Sequence, residues 1–249
     1  MMIRPDSRTL KTLVALAAIM NFAAAPVSAA FIDLTPQGNA VNSVGSISLA
    51  ALQADPSGGI IVGDKIFSGF SYSRLGDMPL PQDVLVLGFK DPAGNFGVTI
   101  QGAFIDLPGG TSSDALVRFA VEVDAANQAA GVRISDAHLF LNGVGVGDES
   151  FFSVDESFLQ NSEILNTFVS TLGPGQTAQL QDVAVFPLVA KLNVTKDIFA
   201  LAASNSPQPA RATAIDQSFS QSVIPEPATM VLAGLSSLAI VVTSRRRSS

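Results

Sequence analysis

The chain has 249 residues, with 14 basic and 21 acidic side chains, a formal net charge of −7 at pH 7 and no cysteine. The absence of cysteine excludes a disulfide scaffold, a thiol enzyme and any cysteine-ligated zinc or iron–sulfur site. A pI near 4.6 argues against nucleic acid as a partner, because phosphate binding needs clustered cations. The mean hydropathy of +0.39 is too high for a disordered chain.

The first 29 residues predict a secretory signal peptide. Three cations come before an apolar stretch over 13–25, and the small residues Val27 and Ala29 occupy positions −3 and −1 of a cleavage site before Ala30. Cleavage one residue later is the alternative site. An amphipathic first helix is the competing interpretation, and it is disfavoured because the stretch is apolar on every face. The export translocon and signal peptidase are therefore expected partners.

The C-terminal region predicts a membrane anchor. Pro225, Glu226 and Pro227 precede 17 uncharged residues, 228–244, which are followed by the arginine cluster of Arg245, Arg246 and Arg247. As a helix, the uncharged segment would be about 25 Å long, the short end of a bilayer span. The positive-inside bias makes the arginines a cytoplasmic stop-transfer cluster and predicts an N-out, C-in orientation. A buried C-terminal helix is the alternative, against which the arginine cluster weighs.

Residues 224–249 resemble a PEP-CTERM protein-sorting signal, also labelled an ice-binding protein C-terminal domain. The Pro-Glu-Pro triplet, the short apolar segment and the arginine cluster stand in the family's order, with Ile224 replacing valine. The resemblance implies processing by exosortase, an integral-membrane cysteine transpeptidase or protease of diderm bacteria. Exosortase cleaves near the triplet and releases or transfers the protein outward, often in species that make extracellular polysaccharide.

The triplet itself supplies the expected recognition residues. Pro225 and Pro227 lack an N–H and bias the preceding residue away from the helical region. The segment is therefore expected to be extended and accessible to a protease. Glu226 carries the only charge in the triplet, which makes it the natural contact for a receptor group.

The remaining residues, 30–222, predict a β-rich ectodomain between the signal peptide and the sorting signal over 223–249. Phenylalanine and β-branched runs are broken by Gly, Pro, Asn and Asp, a composition typical of strands and turns. In the clearest strand, 117–124, apolar residues alternate with charged or small ones. Local turn chemistry predicts hairpins at Gly63-Asp64 and across 91–95.

Further strands are predicted at 84–89, 96–104, 132–140, 151–159, 164–172, 180–186, 189–194 and 213–219. The run over 84–89 is dense enough to predict burial on both faces of that strand. Short helices are predicted at 48–54 and 198–203, and a loop at 204–210. Short strands at regular spacing predict a mainly β domain, an antiparallel β-sandwich or jelly-roll-like fold.

Candidate chemistry in the ectodomain is sparse. His138 is the single histidine and lies inside a predicted strand, which favours a structural role over a catalytic one. The glycine-rich run 143–147 lacks the spacing of a dinucleotide fingerprint and is expected to be a turn. One tyrosine, Tyr72, and no tryptophan leave few rings that could stack on sugars. No regular Thr-rich face supports ice binding.

Acidic side chains leave three interpretations open. The candidates are Asp148 with Glu149, Asp155 with Glu156, and Asp106. Paired carboxyls could hydrolyse a glycosidic bond, could hold a structural Ca²⁺ ion, or could belong to solvated acidic loops, the interpretation we favour. We therefore expect no cofactor and no catalytic residue. The expected function is a non-enzymatic surface or matrix protein, with an extracellular hydrolase or binding module for polysaccharide as the alternative.

Overall fold

The computed structural model describes residues 31–159 and 161–224. The predicted signal peptide and the predicted transmembrane segment lie outside the described residues. Within the part that is described, no helix is long and apolar enough to cross a membrane. Two β-sheets account for most of this part of the chain, so the predicted mainly β class is confirmed.

The larger sheet has eight strands, numbered here in chain order. Across the sheet they are β1 Phe31–Asp33, β3 Gly59–Val62, β4 Lys65–Leu75, β7 Ser113–Val123, β13 Lys191–Leu201, β9 Phe151–Phe158, β10 Asn161–Gly173 and β11 Gly175–Gln179.

The smaller sheet has six strands. Across the sheet they are β12 Gln181–Val189, β8 Val132–Asn142, β14 Ala210–Val223, β6 Phe96–Asp106, β5 Leu85–Lys90 and β2 Asn42–Ser48. Two short helices, α1 Leu49–Ala54 and α2 Ala125–Ala129, and a 3₁₀ turn at Pro81–Asp83 connect strands.

The strands of each sheet alternate inward and outward residues, and this alternation builds one core. In β7, Ala115, Val117 and Phe119 are buried while the residues between them are less buried or exposed. The inner faces meet directly, since the ring of Phe67 in β4 lies 6.1 Å from that of Phe219 in β14. The two sheets therefore pack as a sandwich.

One strand pairing departs from the predicted antiparallel arrangement. β1 runs parallel to β3, with Phe31 beside Gly59 and Asp33 beside Ile61. The chain between these strands passes through β2 in the other sheet and through α1. A crossover of that length can return the chain in the parallel direction, which a tight hairpin cannot do.

Both predicted hairpins are confirmed. Val62 pairs with Lys65 across a turn in which Gly63 has a φ of +62°, a conformation that favours glycine. β5 and β6 pair antiparallel across the second turn. The first helix is also confirmed, with the hydroxyl of Ser48 accepting from the N–H of Ala51 at its N-terminus.

Two sequence predictions about individual segments were also wrong. Residues 198–203 do not form a helix, because β13 continues to Leu201 with Ile198 and Ala200 buried in the alternating pattern of a strand. A short apolar run does not distinguish the two structures by periodicity. The strand at 84–89 is not buried on both faces, since Leu85 is 37% exposed. A two-layer sandwich covers each of its sheets on one face only.

Truncation of a buried ring between the sheets should weaken the whole domain. We expect Phe67→Ala to lower the free energy of unfolding by about 3–5 kcal/mol, because a cavity replaces a fully buried phenylalanine. Urea denaturation of the purified protein measures this change. Val44→Ala is the control at a fully exposed position and should change stability by less than about 0.5 kcal/mol. Equal effects of the two substitutions would contradict the assignment of the core.

Candidate functional site

The last strand of the sandwich leads directly into the predicted sorting triplet. Val223 at the end of β14 pairs with Val132, and the N–H of Ile224 donates to the carbonyl of Gly131 at 2.9 Å. Backbone hydrogen bonding to the domain therefore continues to the residue before Pro225. In the sequence, no residue separates Ile224, the last hydrogen-bonded residue of the domain, from the triplet.

The predicted sorting and processing residues lie outside the described part of the chain. They are Pro225, Glu226 and Pro227 of the triplet, Arg245, Arg246 and Arg247 of the stop-transfer cluster, and Val27 and Ala29 of the signal-peptide cleavage site. Their roles stay predictions, as do the limits of the three predicted domains.

A buried polar centre lies between the two sheets. It consists of Glu156 from β9, Lys196 from β13 and Gln217 from β14, and all three side chains are fully buried. Lys196 and Glu156 are directly opposite each other on neighbouring strands, while Gln217 reaches in from the facing sheet. The amine Nζ of Lys196 donates to Glu156 Oε2 and to Gln217 Oε1.

The surroundings of the buried centre are apolar. Along β13, Val194 and Ile198 flank Lys196 on the inner face, and along β14, Ile215 and Phe219 flank Gln217. Burial lowers the pKa of the Lys196 amine and raises the pKa of the Glu156 carboxyl, because both charged forms lose their hydration. The environment therefore favours the neutral forms of both groups.

The sequence interpretation of Glu156 as one of a pair of surface acids was wrong. Consecutive strand residues point to opposite faces, so Asp155 is exposed and accepts from Asn166 Nδ2 at 2.6 Å while Glu156 points into the core. The alternating pattern of β13 could have predicted the buried centre, because it places Lys196 at an inward position between Val194 and Ile198. Misreading the second half of β13 as helix concealed that signal.

A second buried lysine lies near the sorting end of the sandwich. Lys65 is 1% exposed and its amine donates to Asp64 Oδ1 at 3.0 Å. The same amine lies 5.9 Å from the centroid of the Phe96 ring. Gln221 of β14 donates to Asp64 as well. This network fixes the Gly63-Asp64 turn against the last strand before the triplet.

His138 has hydrogen-bonding partners that do not form a catalytic relay. It lies in β8 as predicted, with its Nε2 atom 2.8 Å from Asp136 Oδ1 and 3.1 Å from Ser220 Oγ. A Ser-His-Asp relay needs the hydroxyl and the carboxylate on different ring nitrogens. Both partners here share one nitrogen, so the arrangement ties β8 to β14 instead.

The other acidic candidates are separated. Asp106 is buried and accepts from Ser113 Oγ and from the N–H of Ala202, whereas Asp148 and Glu149 are exposed in the loop before β9. Over residues 31–159 and 161–224, no three His, Cys, Asp or Glu side chains converge as a metal site would require. The glycine-rich run 143–147 lies in a loop.

The described surface has open concavities. One is lined by His138, Phe140, Gln181, Asp182 and Val183, and another by residues 39–41 and 90–94. Each contains one carboxylate, from Asp182 and Asp91 respectively. Neither places two carboxyls across a groove in the way that glycoside hydrolysis requires. The single tyrosine is engaged elsewhere, with its hydroxyl donating to the carbonyl of Pro79 at 2.9 Å.

Carboxylates do meet on the outer face of the larger sheet. Asp197 of β13 lies directly opposite Asp155 of β9 and is hydrogen-bonded to Asp114 of β7. Desolvation, the hydrogen bond with Asp114 and repulsion from its charge raise the pKa of Asp197 to about 6. The Asp197–Asp114 pair therefore destabilises the fold locally at neutral pH.

The fold defines a mainly β domain, and its last strand ends at Val223, where the predicted sorting signal begins. The family model of the PEP-CTERM protein-sorting motif matches residues 223–247. The chain carries a PEP-CTERM sorting signal, and the resemblance seen in the sequence is confirmed.

The other comparisons add little. No curated protein matches the chain. Among solved structures, TmCBM61 in complex with β-1,4-galactotriose is similar at 13% sequence identity, over 61% of this chain and 88% of that chain, with a TM-score of 0.27.

Removing the Asp197 carboxyl should stabilise the protein at neutral pH. Because the pKa of Asp197 is higher in the folded state than in the unfolded state, protonated Asp197 stabilises the fold. This contribution to the free energy of unfolding is complete below about pH 3.8 and is lost as pH rises through about 6. The advantage of Asp197→Asn over wild type should therefore grow between about pH 4 and pH 7. This stability advantage should be about 1 kcal/mol or less, because the site is exposed and salt screens the repulsion between the carboxylates.

Thermal denaturation of both proteins across that pH range measures the difference. Asp148→Asn is the matched control, because it removes one carboxylate from an exposed loop and so reports the effect of net charge alone. An Asp197→Asn difference that is independent of pH would contradict the proposed repulsion.

Proposed function

We propose that this chain is an exported surface or extracellular-matrix protein, held in the inner membrane until an exosortase-type enzyme processes it at Pro225, Glu226 and Pro227. Its β domain is structural or adhesive rather than catalytic. The observation that carries the proposal is the match of the PEP-CTERM protein-sorting motif over residues 223–247.

The junction between domain and motif supports processing beyond the last strand. Val223 and Ile224 are held by backbone hydrogen bonds to the β8 side of the smaller sheet. A segment whose backbone is hydrogen-bonded in a sheet is a poor protease substrate, because cleavage needs an extended segment that is free to enter the enzyme. The prolines after Ile224 cannot donate to a sheet, so the segment available to the enzyme begins at Pro225.

The same junction supports an N-out, C-in anchor with the domain beside the membrane. Three residues separate Ile224 from the predicted span, so the sandwich would stand close to the outer face of the bilayer before processing. Arg245, Arg246 and Arg247 follow the span and favour the cytoplasmic side. Signal-peptide cleavage after Ala29 would leave the domain outside, held by this anchor alone.

A non-catalytic, jelly-roll-like ectodomain agrees with the chemistry on its surface. The concavities each hold one carboxylate, and His138 shares one nitrogen between its partners. The chain crosses repeatedly between the sheets from β4 onward, as in Greek-key and jelly-roll sandwiches. Exposed aliphatic side chains on the outer face of β12, Val183 at 51% and Val185 at 71%, support an adhesive role.

Replacing Pro225, Glu226 and Pro227 together with alanine should keep the protein in the inner membrane. Exosortase would lose its recognition segment while the span and the arginine cluster remain. Fractionation of a host that carries exosortase should show the variant with the inner membrane, and the wild-type protein on the surface or in the matrix.

The chain contains its own matched control, because Pro207, Gln208 and Pro209 form a second proline-flanked triplet in the loop between β13 and β14. Their replacement with alanine should leave sorting unchanged. Wild-type distribution of the 225–227 variant would refute processing at the triplet. Loss of sorting in both variants would indicate misfolding rather than loss of recognition.

A further inference from the structure

We propose that Lys196 and Gln217 become joined by an isopeptide bond, an amide between their side chains, which links the two sheets covalently with Glu156 as the proton carrier. The inference is independent of the sorting signal. It rests on three side chains whose reactive groups meet in a closed apolar core.

The geometry brings a nucleophile, an acceptor and an acid together. Lys196 Nζ is hydrogen-bonded to the carboxamide oxygen Oε1 of Gln217, so the carbonyl carbon Cδ is one bond further away. Glu156 Oε2 accepts from the same amine. The backbone of β9, β13 and β14 fixes all three residues, and their full burial excludes water that would compete as a nucleophile.

The reaction balances without a further reactant. The lone pair of Lys196 Nζ attacks Cδ of Gln217, and the new N–C bond forms as the Cδ–Nε2 bond breaks. Glu156 takes a proton from Nζ and delivers one to Nε2, which leaves as ammonia. The products are the Lys196–Gln217 amide, a Glu156 carboxyl unchanged in protonation and one ammonia molecule, and nothing is oxidised or reduced.

The apolar core favours the protonation states that the reaction needs. An amine is nucleophilic only when neutral, and burial lowers the pKa of Lys196. A carboxyl can donate a proton only when protonated, and burial raises the pKa of Glu156. Water would favour the charged pair, which is unreactive toward an amide.

Unpaired polar atoms in the buried centre also support the bond. Gln217 Nε2 and Glu156 Oε1 are buried without a hydrogen-bond partner. An unpaired buried donor carries a desolvation penalty, and this amide nitrogen carries it in the non-covalent state. Expulsion of Nε2 as ammonia removes the unpaired donor from the core.

Lys65 provides an internal control. It is also buried, but its amine contacts the Asp64 carboxylate and the Phe96 ring, while the nearby carboxamide of Gln221 donates to Asp64 instead. A carboxylate is a poor acyl acceptor. Lys65 is therefore expected to remain unmodified in the same molecule.

Mass spectrometry of the full chain tests the bond. The chain is produced in an exporting host, purified in detergent, denatured and digested with trypsin, which does not cleave after an acylated lysine. We expect the peptides that contain Lys196 and Gln217 to be joined, with a combined mass about 17 Da below their sum, the mass of one ammonia. Cleavage after Lys65 should be complete.

Three variants assign the roles of the residues. Lys196→Met and Gln217→Met remove the nucleophile and the acceptor, and Glu156→Gln keeps the shape of the acid while removing its proton transfer. Each should yield unlinked peptides of full mass. Where a variant fails to fold, the wild-type digest still decides the question.

Complete tryptic cleavage after Lys196 in the wild-type protein would overturn the proposal and leave a non-covalent buried pair. A loss of about 18 Da, with Lys196 joined to the peptide that contains Glu156, would overturn Gln217 as the acceptor. Linked peptides in Glu156→Gln would refute Glu156 as the proton carrier. All these results are independent of whether the chain is sorted by exosortase.

Discussion

Apolar packing between the inner faces of two sheets is the interaction on which the rest of this structure depends. The chain contains no cysteine, so no disulfide constrains the unfolded state, and the described helices are too short to add a layer. Burial must therefore offset the conformational entropy of the strands. Large side chains from both sheets contribute to this burial. Examples are Phe67, Phe119 and Phe219, whose rings meet between the sheets.

In a core held together by apolar packing, the few buried polar groups have a large effect on stability. Burying an amine and a carboxyl away from water is unfavourable even when they are paired, and an apolar replacement often stabilises a protein. The Glu156–Lys196 pair is therefore weak evidence for non-covalent stability. Its position is informative in another way, because it joins neighbouring strands of one sheet and reaches Gln217 on the other. Such a contact restricts how the two sheets can slide over each other.

The sequence predicted those features that are local in the chain. The hairpins at Gly63-Asp64 and 91–95 follow from turn chemistry between alternating strands, and the PEP-CTERM signal follows from a short linear motif. β2 was missed because its residues, 42–48, are largely small and polar and depend on pairing with β5. The buried centre was missed for a related reason. Glu156, Lys196 and Gln217 meet only after β13 is placed between β9 and β7, and no local pattern encodes that neighbour.

The last strand connects the core to the sorting motif. β14 contains Gln217 and continues to Val223, where the sorting motif begins. Tension on the C-terminal region would therefore reach the sandwich through β14. That strand is central in its sheet, with β8 on one side and β6 on the other, so withdrawing it would break two hydrogen-bond ladders. Gln217 adds a contact across the layers within the same strand, through Lys196 to β13. In a chain without cysteine, this contact adds resistance to unfolding at the strand that leads into the sorting motif.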